Sequence, residues 1–121
     1  MKVIDWQNVE FATSTCRTQQ YINFENQCRR ELKKQLELYG IKLHKFNGNH
    51  FEWSAVLEKD GKFVYVRMSD VRWWDWYNDI LIRTMAHDTD WHGGQNHKCA
   101  FDEIGKTANK LFEGGQQGWN K

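Results

Sequence analysis

An α+β fold is expected for this chain: a single antiparallel sheet of three to five strands, with a long N-terminal helix and a shorter C-terminal helix. Three observations favour it. Apolar residues recur at helical spacing in the first third of the chain, an Asp-Gly pair joins two alternating segments, and a second helical pattern lies near the end. At 121 residues the chain has the size of one domain. We therefore expect one domain over residues 1–113 and a flexible, Gly-rich tail over residues 114–121.

The first predicted element is a helix from about Thr18 to Tyr39. Its apolar residues follow steps of three and four, so they form one stripe: Tyr21, Phe24, Cys28, Leu32, Leu36 and Tyr39. Gly40 follows directly, and glycine is the residue that most readily takes the left-handed conformation at a helix end. Since Cys28 lies within the stripe, we expect it to be a packing residue.

A hairpin is predicted around Asp60-Gly61, a preferred pair for a two-residue type I′ turn. Such a turn sets three apolar pairs on one face of the sheet: Leu57 with Val64, Ala55 with Val66, and Trp53 with Met68. The alternating residues, which include Val56, Phe63, Tyr65 and Arg67, then lie on the other face. Turn chemistry and apolar alternation therefore predict the same register.

The strand before this hairpin is expected to end at Asn47-Gly48-Asn49. A three-residue loop there would place Leu43 opposite Trp53 and Ile41 opposite Ala55, on the apolar face. Residues 2–11 offer a further edge strand. Later in the chain, residues 80–85 form an apolar run of strand length, residues 87–99 a long loop, and residues 101–112 the final helix. Gly105 weakens this helix, and Gly114 is the expected stop.

Charge and cysteine content exclude several classes of protein. The net charge is +1, from 17 basic and 16 acidic residues, which argues against an acidic DNA mimic and against a uniformly basic nucleic-acid coat. Residues 21–45 nevertheless carry a local charge of +3. Three cysteines without a CxxC pair favour a reduced compartment, and no apolar run approaches the roughly 18 residues of a membrane span. We expect a protein of the host cytoplasm without a membrane partner.

Residues 87–99 hold the candidate metal ligands His87, His92, His97 and Cys99. The histidines are five residues apart, which is looser than the usual spacing of zinc ligands, and Asp88-x-Asp90 is a weak Mg²⁺ signal. A solvated polar loop is therefore expected, with no metal and no cofactor. The phosphate-loop, GxGxxG, HExxH and GxSxG motifs are also absent from the sequence, so we expect a protein that is not an enzyme.

A cluster of large aromatic residues spans residues 73–77. Side chains of neighbouring strand residues point to opposite sides, so these rings cannot all enter one small core. Exposed Trp and Tyr are preferred anchors of protein interfaces. The expected partner-binding residues are Trp73, Trp74, Trp76, Tyr77, Asp90 and Trp91. The alternative is that the rings form a second small core.

The predicted first helix also carries a basic face, made by Arg29, Arg30, Lys33 and Lys34. Together with nearby aromatic rings, such a face suits single-stranded nucleic acid, whose phosphates attract the cations while its bases stack on the rings. A solvated helix face is the other interpretation.

One stretch resembles a pattern in short uncharacterised accessory proteins of bacterial phages and mobile elements. It comprises residues 76–84, followed by Asp88, Asp90, Gly93-Gly94 and Asn96. The resemblance implies a cytosolic accessory protein, and interference with host defence, for example anti-CRISPR activity, is the implied role. We expect a non-enzymatic protein that binds and blocks a host protein or protein–nucleic-acid complex, such as a defence nuclease. A single-stranded nucleic-acid-binding protein is one alternative, and a metal-binding small enzyme is another.

Overall fold

The computed structural model of the protein describes residues 19–48, 52–69, 75–90 and 95–114. These residues form two helices, α1 and α2, and five strands, β1 to β5. Their bounds are α1 Gln19–Glu37, β1 Lys42–Gly48, β2 Trp53–Lys59, β3 Lys62–Arg67, β4 Ile80–Met85, β5 His97–Cys99 and α2 Ile104–Gly114. The strands make one antiparallel sheet in the order β1-β2-β3-β4-β5. The expected α+β fold, with one helix before the sheet and a shorter one after it, is confirmed.

Both helices pack on the same face of the sheet, which we call the inner face. α1 lies against β1, and α2 lies against β3 and β4, while the two helices also contact each other. The apolar stripe of α1 is buried along its length, together with alternating residues of β2 and β3. Trp53, Leu57 and Val66 are fully buried among them. The main core is therefore the single layer between the helices and the sheet.

The β2–β3 hairpin matches its prediction. Asp60 and Gly61 have φ angles of +53° and +80°, as a type I′ turn requires at both central positions. Leu57 pairs with Val64, and Ala55 pairs with Val66. The Met68 amide donates a hydrogen bond of 3.2 Å to the Trp53 carbonyl, which continues the same register.

The register predicted for β1 is wrong. Leu43 lies opposite Leu57 instead of Trp53, and Phe46 lies opposite Ala55. A β-bulge between Leu43 and Lys45 inserts an extra residue, His44, so the strict alternation of sides breaks at this point. Leu43 and Phe46 both reach the inner face, where the Phe46 ring stacks against a core tryptophan, with centroids 5.2 Å apart.

Ile41 does not belong to the strand, because it completes the end of α1. Gly40 has a φ of +67°, and its amide donates to the Glu37 carbonyl at 3.3 Å. The Ile41 amide donates to the Leu36 carbonyl at 3.0 Å. These two bonds form a Schellman motif, in which the apolar residue after the glycine packs back on the helix. Ile41 is accordingly buried, and the predicted helix end at Gly40 is confirmed.

The predicted final helix is present, and the glycine inside it has a specific role. A Cβ on Gly105 would come within 3.1 Å of the Gln35 carbonyl oxygen, which is closer than most Cβ contacts, so glycine lets α2 approach α1 without crowding. The Gln35 side chain also joins the two helices. Its Oε1 accepts a hydrogen bond from the Gly105 amide at 3.0 Å, and its Nε2 donates to the Phe101 carbonyl at 2.9 Å. Gln35 therefore supplies partners for backbone groups at the start of α2.

The second half of the sheet contains one strand that was predicted and one that was missed. β4 spans residues 80–85 as expected, and its centre pairs with β3 through Val66 and Ile82. β5 falls inside the predicted loop, and its three residues are too few to show a periodic pattern. The predicted strand in residues 2–11 and the tail from residue 115 lie outside the described residues. Gly114 itself is the last residue of α2.

Asp79 ties together the chain segments on either side of residues 70–74. One carboxylate oxygen accepts a hydrogen bond from the Lys98 ammonium group at 2.8 Å, and the other accepts one from the Ser69 hydroxyl at 2.5 Å. These bonds lower the pKa of Asp79, with the bond from Lys98 contributing most. The ionised carboxylate therefore links the end of β3, the start of β4 and the edge strand β5.

We expect the Asp79 contribution to stability to disappear in acid. Because the pKa of Asp79 is lower in the folded chain than in the unfolded one, the carboxylate stabilises the fold above about pH 4. That stabilisation is lost as the pH falls through the folded-state pKa. Near neutral pH, Asp79→Asn is expected to cost no more than about 1 kcal/mol, since the pair is partly exposed. Urea unfolding at neutral pH and at several pH values below about 4 tests this. A difference between variant and wild type that does not shrink as the pH falls would contradict it.

Candidate nucleic-acid interface

The position of Trp76 corrects its predicted role as an exposed anchor. Its side chain is 0% exposed and belongs to the main core. The indole packs edge-to-face on Phe24 at 5.2 Å between ring centroids, and on Phe101 at 6.2 Å. A single turn of 3₁₀ helix before β4 turns the side chain inward. Trp76 is therefore not available to a partner in this structure.

The other predicted partner-binding residues have mixed positions. Tyr77 is half-buried beside Phe101, and burial raises the pKa of its hydroxyl, which stays protonated at neutral pH. The Asp90 carboxylate accepts a hydrogen bond of 2.8 Å from the Ala86 amide and so closes the turn after β4. Trp73, Trp74 and Trp91 lie outside the described residues.

The histidine and cysteine candidates do not converge in the described part of the chain. No group of three His, Cys, Asp or Glu side chains there is arranged to hold a metal ion. The His87 ring instead bonds locally to Thr89 at 3.0 Å. Burial raises the pKa of Cys99 to about 11, so its thiol is protonated at neutral pH and is not activated as a nucleophile. His92 lies outside the described residues.

The basic face predicted on α1 is present at the surface. Arg29, Arg30, Lys33 and Lys34 are all exposed. Lys34 lies 3.6 Å from the Glu31 carboxylate, but both side chains are largely in solvent, so this pair neutralises little of the field. The other three cations have no acidic side chain within salt-bridge distance among the described residues. α1 therefore presents a cluster of four exposed positive groups.

This positive surface continues onto the neighbouring strand. The Arg29 guanidinium lies 5.8 Å from the centre of the Phe46 ring, so the basic face of α1 adjoins β1. β1 adds Lys42, which is exposed, and Lys45, which is half-buried. We call these six cations the basic flank: Arg29, Arg30, Lys33, Lys34, Lys42 and Lys45.

Charge is unevenly divided between the segment that carries this flank and the remainder of the chain. Residues 29–45 contain six Lys or Arg and two Glu, a formal charge of +4. Since the whole chain carries +1, all other residues together carry −3. A concentrated positive region in an otherwise acidic protein attracts polyanions and orients them on approach.

The sheet surface away from the helices, which we call the outer face, combines aromatic and basic side chains. Cross-strand pairing places Tyr65 between Val56 and Arg83. The Arg83 guanidinium lies over the Tyr65 ring, 4.6 Å from its centre. In the next row, Arg67 lies between Ser54 and Leu81 and is exposed. These side chains form a small patch of one ring and two guanidinium groups.

One end of the outer face is covered by the turn at residues 86–90. Asp88 accepts a hydrogen bond of 3.1 Å from His44, the bulged residue of β1, and lies 3.4 Å from the Lys45 ammonium group. β1 and β4 are separated by two strands, so the turn folds over the face to make these contacts. The bond from His44 lowers the pKa of Asp88. The His44 ring also contacts Phe63 at 5.3 Å, which closes this end of the face.

The contact between Arg83 and Tyr65 was not predicted from the sequence. Alternation in the hairpin correctly placed Phe63, Tyr65 and Arg67 on one side, but their pairing with Arg83 depends on the β3–β4 register. The recurrence of aromatic and basic residues at every second position of β3 is the signal that points to it.

Comparisons with other proteins do not assign the chain to a family. No protein-family model matches the chain, and neither a curated protein nor a solved structure is significantly similar to it. Among the helices of the described residues, none combines the length and apolar character needed to cross a membrane.

Proposed function

We propose that this chain is a non-enzymatic accessory protein that binds an exposed nucleic-acid strand through its basic flank. The strand is either free or part of a host protein–nucleic-acid complex, such as a defence nuclease. In the second case the protein acts by occupying the complex and blocking access to it. This action needs no chemistry from the protein itself.

The observation that carries this proposal is the segregation of charge. Four exposed cations lie on one face of α1, and β1 adds the exposed Lys42 and the half-buried Lys45, which also lies 3.4 Å from the Asp88 carboxylate. A net charge of only +1 gives the chain no general attraction to nucleic acid. Any affinity for nucleic acid therefore depends on the clustering of these cations on one surface. Positively charged groups on one helix face follow a phosphate backbone without requiring a particular base sequence.

The resemblance to accessory proteins of phages and mobile elements supports the choice of target. From this resemblance we expect the protein to act in the host cytoplasm, against a defence system. CRISPR nucleases hold the guide–target heteroduplex in a positively charged channel and leave the non-target strand displaced as a single strand. A small protein that binds this strand and its surroundings is a steric inhibitor of anti-CRISPR type.

Salt dependence of binding tests the proposal. Fluorescence anisotropy with a labelled single strand of roughly ten nucleotides covers the usual site sizes of small binding domains. Neutralising four phosphates of a single strand gives a slope of log K against log salt of about −3. We expect a slope at least this steep. Absent binding at low salt, or binding that salt does not weaken, would contradict the proposal.

The alternative that the protein binds a host protein through its aromatic residues stays a prediction, because Trp73, Trp74 and Trp91 lie outside the described residues. A pull-down from host lysate, with and without nuclease treatment, separates it from the proposal above. A specific complex that survives nuclease and Arg29/Arg30/Lys33/Lys34→Gln supports the alternative. The third possibility, a metal-binding small enzyme that uses residues 87–99, also stays a prediction.

A further inference from the structure

Two side chains of β1 converge on one carboxylate oxygen of the turn after β4. Oδ2 of Asp88 lies 3.1 Å from Nε2 of His44 and 3.4 Å from Nζ of Lys45. The bond from His44 lowers the pKa of Asp88, so the carboxylate is ionised at neutral pH and only accepts hydrogen bonds. Nε2 of His44 therefore carries the hydrogen, and the oxygen faces two donors, one of them a full positive charge.

The bulge in β1 brings these two donors to the same side of the sheet. Successive residues of a regular strand point to opposite faces. Here Leu43 and Phe46 both pack on the core, which leaves the two residues between them for the outer side. The ring of His44 rests beside Phe63, with centroids 5.3 Å apart, so its orientation is fixed by packing. The bulge therefore builds a two-donor anion site beside the edge of the sheet.

We propose that His44 and Lys45 form a phosphate-binding site for the nucleic-acid strand, and that Asp88 is an internal competitor for this site. The inference rests on the proposed function, because the exposed cations of α1 supply most of the attraction to the strand. A phosphodiester group carries one negative charge on oxygens that accept hydrogen bonds, as a carboxylate does. It therefore fits the two donors that now hold Asp88. The competition limits the affinity of the basic flank.

The site is open to solvent and adjoins the cations of α1. The side chains of His44, Lys45 and Asp88 are 35%, 38% and 39% exposed, so a phosphate oxygen reaches them without opening the core. β1 is the outermost of the five described strands on this side. Arg29 of α1 lies over the ring of Phe46, the residue that follows Lys45. A strand that crosses α1 and passes over β1 therefore meets the site.

The hold on Asp88 is weak enough for a ligand to break. Exposed ion pairs contribute little, because solvent screens both partners. The turn also has bonds of its own. The Asp90 carboxylate accepts a hydrogen bond of 2.8 Å from the Ala86 amide, and the His87 ring bonds to Thr89 at 3.0 Å. The turn therefore keeps its local structure when Asp88 leaves its partners.

Removing the competitor is expected to strengthen binding. Asp88→Ala should bind a single-stranded oligonucleotide of roughly ten nucleotides about threefold or more tightly than wild type at low salt, because one phosphate contact is gained. The slope of log K against log salt should become steeper by about 0.7. Asp102→Ala removes an equal charge from an exposed site outside the basic flank. This control is expected to change the affinity less than about twofold.

A substitution of Lys45 shows whether the gain comes from the proposed site. In the wild type, Lys45→Gln is expected to change the affinity less than about twofold, because Asp88 already competes for that charge. In the Asp88→Ala background, Lys45→Gln should abolish the gain. Circular dichroism confirms that each variant is folded.

Two results would overturn the inference: a gain in Asp88→Ala that survives Lys45→Gln, or equal effects of Asp88→Ala and Asp102→Ala. In either case, salt-dependent binding by the wild type would still uphold the proposed function. If neither the wild type nor Asp88→Ala binds the oligonucleotide, both fail.

Discussion

Replacing Trp76 with alanine is expected to destabilise the fold by about 3–5 kcal/mol, the usual range for deleting a large buried aromatic side chain. The indole is fully buried and packs edge-to-face on Phe24 and Phe101, which belong to a helix and to the turn before α2. Its removal opens a cavity where three parts of the chain meet. Since domains are stable by only about 5–15 kcal/mol, this is a large fraction of the total.

Urea unfolding followed by circular dichroism measures the effect. Trp76→Phe fills part of the space and is expected to lose clearly less than Trp76→Ala. Tyr77→Ala, at the neighbouring half-buried position, is the matched control, and its expected loss is smaller because less surface is uncovered. A Trp76→Ala variant as stable as wild type would show that the side chain does not pack as described.

This expectation decides how the aromatic cluster should be tested for partner binding. A triple alanine variant at residues 73, 74 and 76 loses binding for a trivial reason if the domain unfolds. Changing Trp73 and Trp74 while keeping Trp76 avoids that ambiguity. The double variant is therefore the appropriate test of the host-protein hypothesis.

The second large effect is expected from the basic flank. We expect Arg29/Arg30/Lys33/Lys34→Gln to weaken binding of a single-stranded oligonucleotide at least about a hundredfold at low salt. The slope of log K against log salt should become shallower by about 3, since each phosphate contact on a single strand contributes about 0.7. Stability should change little, because all four side chains are exposed.

A control variant removes the same charge from another surface. Lys59, Lys62, Lys106 and Lys110 lie at the β2–β3 turn and on α2, outside the basic flank. Their replacement by glutamine lowers the net charge equally. Any difference in affinity between the two variants is therefore due to where the removed charges lie. If both variants bind equally well at every salt concentration, the basic flank is not the binding surface.

Features determined by neighbouring residues were predictable from the sequence. The type I′ turn at Asp60-Gly61 and the helix end at Gly40 depend on which residues tolerate positive φ. The inner face of the hairpin followed from apolar alternation once the turn was placed. Charges on α1 were also predictable, because exposed residues opposite an apolar stripe face solvent.

Features that depend on distant contacts were not predictable in the same way. The bulge at His44 is visible only when the pairing of β1 with β2 is known, and β5 is too short to leave a pattern. Which aromatic residue enters the core depends on the single turn before β4, and this placed Trp76 inside. The outer-face patch joins Tyr65 to Arg83, two residues whose proximity is set by the sheet register.

The bridging role of Gln35 has a consequence for folding. Its amide contacts Phe101 and Gly105, which are 66 and 70 residues further along the chain. Local bonds serve part of this start, since the Ala100 amide donates to the Glu103 carboxylate. The Gly105 amide, in contrast, receives its partner only after the intervening sheet has brought α1 beside it. The first turn of α2 therefore forms and opens with the domain as a whole, instead of fraying independently.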